Sequence, residues 1–178
     1  EGDFLGVGEG ESSCQYKDLS ELLAKRVIEK IKLSQKKATI GTGVYPVIFT
    51  SKAMPIIFSP LKRGINGKLV HKKISPLSSR LNEKILSPLV SIVDDATFPY
   101  GKSSGPVDGE GVPSRKNSII EKGVLKNFIY DLQTAGLMKT DTTANAARGY
   151  DSLPYPSTTN FIVTPGKISM EEMIKDIK

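Results

Sequence analysis

The side chains able to do chemistry are few in this chain, and most of them fall in loop-like stretches. There is one histidine, His71, and one cysteine, Cys14, among 178 residues. A zinc site draws three or four ligands from such side chains, and nothing spaces these two toward one centre. His71, set between Val70 and Lys72, reads as a structural or solvated histidine. A Ser-His-Asp arrangement from His71, Ser75 and one of the aspartates is formally available, but no nucleophile elbow accompanies it. The acids Asp94, Asp95, Asp108 and Glu110 stand near loops, where their oxygens suit a hard cation such as Ca²⁺ or Mg²⁺. Their spacing fits no EF-hand. The simpler expectation is that they accept nearby backbone amides in Asx turns.

Two glycine-containing stretches invite a phosphate reading, and neither supports it. Ala96 to Ser103 satisfies a loose P-loop pattern and follows a strand-like run. A phosphate cradle needs a helix opening at its Lys-Ser end, whereas Ser104-Gly105-Pro106-Val107 cannot open one. Gly6-Val7-Gly8-Glu9-Gly10 lacks the βαβ surroundings of a dinucleotide fingerprint. Lys62, Arg63, Lys68, Lys72, Lys73, Arg80 and Lys84 face one acid, Glu83, over Lys62 to Lys84. That excess of six equals the formal net charge of the whole chain, +6. Such a patch suits nucleic acid or an acidic partner. It has no interleaved aromatics for base stacking, and nucleic acid is not the expected ligand.

The elements that position these residues follow from periodicity. Asp18 with Glu21 suggests a capping box, and Leu19, Leu22, Leu23, Val27, Ile28 and Ile31 recur at helical spacing until Ser34 to Lys37. Val44 to Thr50 and Lys68 to Ile74 read as short strands, and Leu89 to Val93 as a buried one. Ser118 to Glu121 and Val124 to Tyr130 suit a hairpin about Lys122-Gly123. Ser169 with Glu172 makes a second capping box, before a helical face of Met170, Met173, Ile174 and Ile177. Strands and helices mix without regular βαβ alternation. The expected class is α+β, with mixed or antiparallel sheets and a few flanking helices.

Composition bounds the rest. The content is 38% hydrophobic, with no Trp and many Gly and Pro, which favours strands and turns over a helical bundle. A single Cys excludes an internal disulfide and fits a reducing, cytoplasmic setting. Apolar runs such as Pro55-Ile56-Ile57-Phe58 fall far short of the roughly 20 residues that span a bilayer. No signal peptide is visible. The acidic, Gly-rich start and the helical pattern running to Lys178 suggest a piece of a longer protein.

The order of motifs after Ile92 is particular. Val93-Asp94-Asp95, then Val107-Asp108-Gly109-Glu110-Gly111-Val112-Pro113, then Ile120-Glu121-Lys122-Gly123-Val124-Leu125-Lys126 come in succession. Together they resemble the centre of the TldD/PmbA family, once called modulators of DNA gyrase, which reads VDD…fDdEGvp…IeeGvLk. Thr143-Ala144-Asn145-Ala146-Ala147-Arg148 is similar to a further family stretch. Thr159-Asn160-Phe161 and Pro165-Gly166-Lys167 are similar to its ending. The likeness covers most of the chain from about Gly43 onward. It implies a domain division with 1–43 as the end of an N-terminal α+β region and 44–178 as an incomplete C-terminal core.

The resemblance also implies chemistry. In the TldD branch, a helix carries HExxxH, two zinc-binding histidines with a glutamate base. Counting back from Val93-Asp94-Asp95, that motif falls on Phe58 to Arg63. Phe58 and Arg63 stand at the histidine positions and Ser59 at the glutamate position. None binds zinc in its ordinary state, and Pro60 is expected to spoil a helix there. The likeness is therefore to the PmbA/TldE branch, which lacks the zinc motif. That branch implies a non-catalytic subunit, with no cofactor of its own, paired with a zinc-bearing TldD-like subunit or with itself. The substrate would be unfolded peptide. By the same resemblance, Asp94, Asp95, Asp108, Glu110, Gly111 and Asn160 form a family-motif turn. One rival is an independent metal-dependent hydrolase using Asp94, Asp108 and Glu110, which bound metal would reveal. A second rival is a gyrase- or nucleic-acid-binding module on Lys62 to Lys84, which steep salt dependence would reveal.

Overall fold

The structure, a computed structural model, describes residues 6–35 and 38–177. Lys36, Lys37 and Lys178, which figure in the expected helix ends, lie outside them. Contacts divide the chain into two units, Glu1–Pro46 and Val47–Lys178.

The first unit holds helix α1, Ser20–Ser34. Leu19 is its N-cap, and no side chain caps it. Asp18 sits one residue too early for the expected capping box. Its carboxylate instead accepts from Ser20 N at 3.0 Å and from Ser20 Oγ at 2.7 Å. The apolar face is present, but no described residue of α1 is buried. Arg26 pairs with Glu11 at 2.9 Å, and Lys30 with Glu9.

The second unit is α+β. Its main sheet runs in the order β3-β2-β1-β6, all antiparallel: β1 is Ile92–Asp95, β2 Lys116–Glu121, β3 Val124–Leu125 and β6 Phe161–Val163. A two-stranded ribbon pairs β4, Ala146–Ala147, with β5, Tyr155–Pro156. Helices α2 (Met54–Gly64), α3 (Gly67–His71), α4 (Leu132–Met138) and α5 (Met170–Asp176) complete the unit.

The β1/β2 pairing slips between Ile92↔Ile120 and Val93↔Ser118. Ile119 is left as the extra residue of a bulge, which lets Ile119 and Ile120 both be buried. These two join Ile65, Val70, Ile92, Leu125, Phe128 and Ile129 in the core. The β2/β3 turn has positive φ at both Lys122 (45°) and Gly123 (82°), the conformation that matches strand twist in a two-residue hairpin.

Several sequence-based expectations are corrected. Val44 to Thr50 forms no strand. Leu89 is exposed, and the strand starts at Ile92. The hairpin's second arm pairs only over Val124–Leu125, because Phe128 to Tyr130 leave the sheet to pack against α3. The segment expected as a strand from Lys68 is helix α3, nucleated by Asn66, whose Oδ1 accepts from Lys68 N and Leu69 N. Pro60 lies inside α2. The helix tolerates the lost amide because Phe58, Leu61 and Ile65, at spacings of three and four, pack on the core. The capping box at Ser169 and Glu172 forms as expected.

Candidate functional site

Asp94 and Asp95 end β1, and their carboxylates do different things. Asp95 Oδ1 accepts from Thr97 N at 2.9 Å and from Thr97 Oγ1 at 2.6 Å, a local Asx turn. Asp94, fully buried, reaches much further along the chain. Its Oδ2 accepts from Asn145 Nδ2 at 2.6 Å and Thr159 Oγ1 at 2.9 Å, and its Oδ1 from Thr159 N at 2.8 Å. Burial pushes the Asp94 carboxyl above the ordinary aspartate range. These hydrogen bonds, and the positive charge of Lys62, oppose that shift.

Asn145 is the hub that sequence reasoning missed. Its second amide bond goes to Ser157 O at 3.1 Å, and its Oδ1 accepts from Asn117 Nδ2 at 3.1 Å. Asn117 Nδ2 also donates to Thr143 O at 2.8 Å. Thr143 Oγ1 accepts from Tyr130 N at 2.7 Å and donates to Tyr130 O at 3.1 Å. Asn117, Thr143 and Asn145 are all buried. Buried polar groups persist where they are satisfied, and this network is satisfied from end to end. A buried residue with positive φ, Ala144 at 56°, turns the chain into it.

The acidic turn lies beside this network. Asp108 Oδ1 accepts from Glu110 N and Val112 N, each at 2.9 Å, and its Oδ2 accepts from Ala146 N at 3.1 Å. Gly111 has φ +81°, as a turn there requires. Gly109 serves a different need: a Cβ there would lie 2.9 Å from Ala146 O. Glu110 Oε2 accepts from Leu132 N at 2.7 Å, at the start of α4, beside the N-cap Asp131. Asp131 Oδ1 accepts from Thr134 N, and its buried Oδ2 has no hydrogen-bond partner among the described residues.

Asn160 clamps the loop after β1. Its Nδ2 donates to Asp95 O and to Ser104 Oγ, each at 2.8 Å, and its Oδ1 accepts from Ser103 N at 3.1 Å. The amide that a phosphate cradle would need at Ser103 is therefore taken. These turns surround a polar recess of about 280 Å³ lined by Ala96, Ser104, Asp108, Gly109, Ala144 and Thr159, among others. Asp94, Asp108 and Glu110 do not converge as a cation site, because their oxygens face N–H and O–H donors. Among the described residues no group of three or more His, Cys, Asp and Glu could hold a metal.

The positions matching the zinc motif are split between two faces of α2. Phe58 packs its ring 5.7 Å from that of Phe161, and Lys62, one turn on, sits 4.9 Å over the same ring. Ser59 and Arg63 instead line a separate groove. A hydrocarbon ring, a hydroxyl and a permanent cation do not make a zinc donor set. His71 is exposed at the end of α3, and Cys14 is exposed in the other unit. Ser75 Oγ donates to Gly64 O at 2.6 Å and accepts from Leu77 N, which removes it from any triad with His71. In the basic stretch, Arg80 pairs with Glu83 at 2.9 Å.

The class defined by this fold and motif order is that of the PmbA/TldD proteins, and the chain belongs to that family. Residues 42–178 match the family described as PmbA/TldA metallopeptidase C-terminal domain. The chain is 33% identical over 152 residues to a metalloprotease TldD homolog of Buchnera aphidicola, covering 84% of this chain and 31% of that protein. It is 31% identical over 157 residues to a metalloprotease PmbA homolog of the same species, covering 88% and 32%. TldE from Thermococcus kodakarensis superposes with a TM-score of 0.84 at 29% identity, over 89% of this chain and 36% of that one. The chain thus spans about a third of the length of these relatives. Among the described residues no helix is long and apolar enough to cross a membrane.

Proposed function

We propose that this chain is a portion of a PmbA/TldE-like subunit that cleaves nothing itself and partners a zinc-bearing TldD-type protease acting on unfolded peptides in the cytoplasm. One observation carries the reading. The three positions matching HExxxH hold a core-packed Phe58, a Ser59 without a metal-binding charge, and the cation Arg63. These residues do not fit zinc. The chain's own contribution is shape: a sheet braced by the Asp94–Asn145 network, and turns that hold a polar recess lined by no paired nucleophile and base among the described residues.

The test is reconstitution of the full-length protein with a TldD-type subunit. Peptide hydrolysis should require both proteins. It should survive His71→Ala, since this side chain is exposed at a helix end. It should be lost in Ile120→Asp, which puts an unpaired charge at a position with no exposure. Hydrolysis by the full-length protein alone, abolished by His71→Ala, would overturn the reading.

A further inference from the structure

The groove on the outer face of α2 is a cavity to which the partner-subunit reading assigns no role. It measures about 490 Å³, within the range of small-ligand pockets, which suits one or two amino-acid residues and not a folded partner. Pro60, Leu69, Ile74 and Pro76 give it apolar walls, and Ile74 is 66% exposed despite its size. Its polar groups are Ser59, Arg63 and Ser75. The Ser75 hydroxyl is already bonded to Gly64 O. The Ser59 hydroxyl and the Arg63 guanidinium have no partner among the described residues, and they sit one helical turn apart on α2. No acid lines the groove.

We propose that this groove binds the C-terminal residue of a peptide. Its carboxylate would lie on Arg63 and Ser59, and an apolar side chain would lie against Leu69, Ile74 and Pro76. The guanidinium fork matches a carboxylate in two parallel hydrogen bonds. The apolar wall stands beside that fork, so the ligand must carry its charge and its hydrocarbon on one short unit. A peptide's last residue does so from a single carbon. An inorganic anion would leave the wall uncovered, and an acidic side chain within a peptide ends in its carboxylate, with only one or two methylenes to set against Leu69, Ile74 and Pro76. The proposal stands on the groove alone and is independent of any protease partner.

The probes are N-acetyl-alanyl-leucine and its C-terminal amide, titrated calorimetrically into the whole protein. The acid should bind at least about tenfold more tightly than the amide. Arg63→Gln should bring the acid down to the level of the amide and leave the amide unchanged, and Arg63→Lys should restore part of the difference. Arg63 is exposed, so circular dichroism and melting temperature should be unaltered in both variants. Equal affinity for acid and amide would overturn the proposal. So would no binding of the acid at millimolar concentration, or competition by acetate as effective as that by the peptide.

Discussion

Asn145 Nδ2 donates to Asp94 Oδ2 at 2.6 Å, joining two buried side chains 51 residues apart. The bond ties the end of β1 to the segment entering β4. Asn145 also reaches Ser157 O at the exit of β5, so one amide group holds three stretches of chain. Neutral donors around a buried carboxylate soften its desolvation without removing it, and Asp94 remains harder to ionise than an exposed aspartate.

This gives a pH dependence with a definite sign. Between the ordinary aspartate pKa and the raised value of Asp94, the folded chain keeps a proton that the unfolded chain has released. Stability contributed by Asp94 therefore declines as pH rises through that window. Asp94→Asn should lose this slope. At neutral pH it should also be less stable by about 1–3 kcal/mol, because either amide orientation sets an NH₂ against Asn145 Nδ2 or Thr159 N. Melting curves at a series of pH values decide it: equal slopes in both proteins would count against the role of Asp94.

Asp108→Ala leaves three amides without their acceptor, those of Glu110, Val112 and Ala146. The first two are near the surface and gain water; the third joins the acidic turn to β4. A loss on the order of 1–2 kcal/mol in urea denaturation is expected, with partial recovery in Asp108→Asn. An unchanged midpoint would mean that the turn holds itself without its acid.

Gly67→Ala tests a close approach. A Cβ there would lie 2.3 Å from Tyr130 Cδ1 and 2.6 Å from Ile129 O, while Gly67 N donates to Ile129 O at 2.9 Å. Backbone cannot move aside as a side chain end can, so the cost should be about 2–3 kcal/mol. A melting temperature equal to the parent's would show that α3 can shift away.

Features held by near neighbours were legible in the sequence. The Ser169–Glu172 box and the Asp95 and Asp108 turns involve residues a few places apart, and local chemistry alone specifies them. Asp18 shows the limit of that approach: its hydrogen bonds stay local, yet they land on Ser20 and start no box. Helix α2 was hidden by Pro60 and by the exposed Ile56 and Ile57, which blur the apolar stripe that Phe58, Leu61 and Ile65 carry. Helix α3 had a readable signal, Asn66 before Gly67, which the alternation of the residues after it masked. The motif residues Asp94 and Asn160 were visible as types. What they touch was not, because Asn145, Asn117 and Thr143 reach the site only through the sheet pairing.

The Lys122–Gly123 turn looks like a free hairpin tip, the kind of place where a tag is inserted or a protease nicks. It is enclosed instead. Gly123 N donates to Val90 O at 2.8 Å, its carbonyl accepts from Ile85 N and Leu86 N, and Lys122 N donates to Ser91 Oγ. A Cβ on Gly123 would come within 2.4 Å of Leu86 O. For anyone engineering this chain, the tip is a closed joint. An epitope or fluorophore belongs on the open stretch about Tyr150 and Leu153, where the side chains face solvent and the backbone carries less.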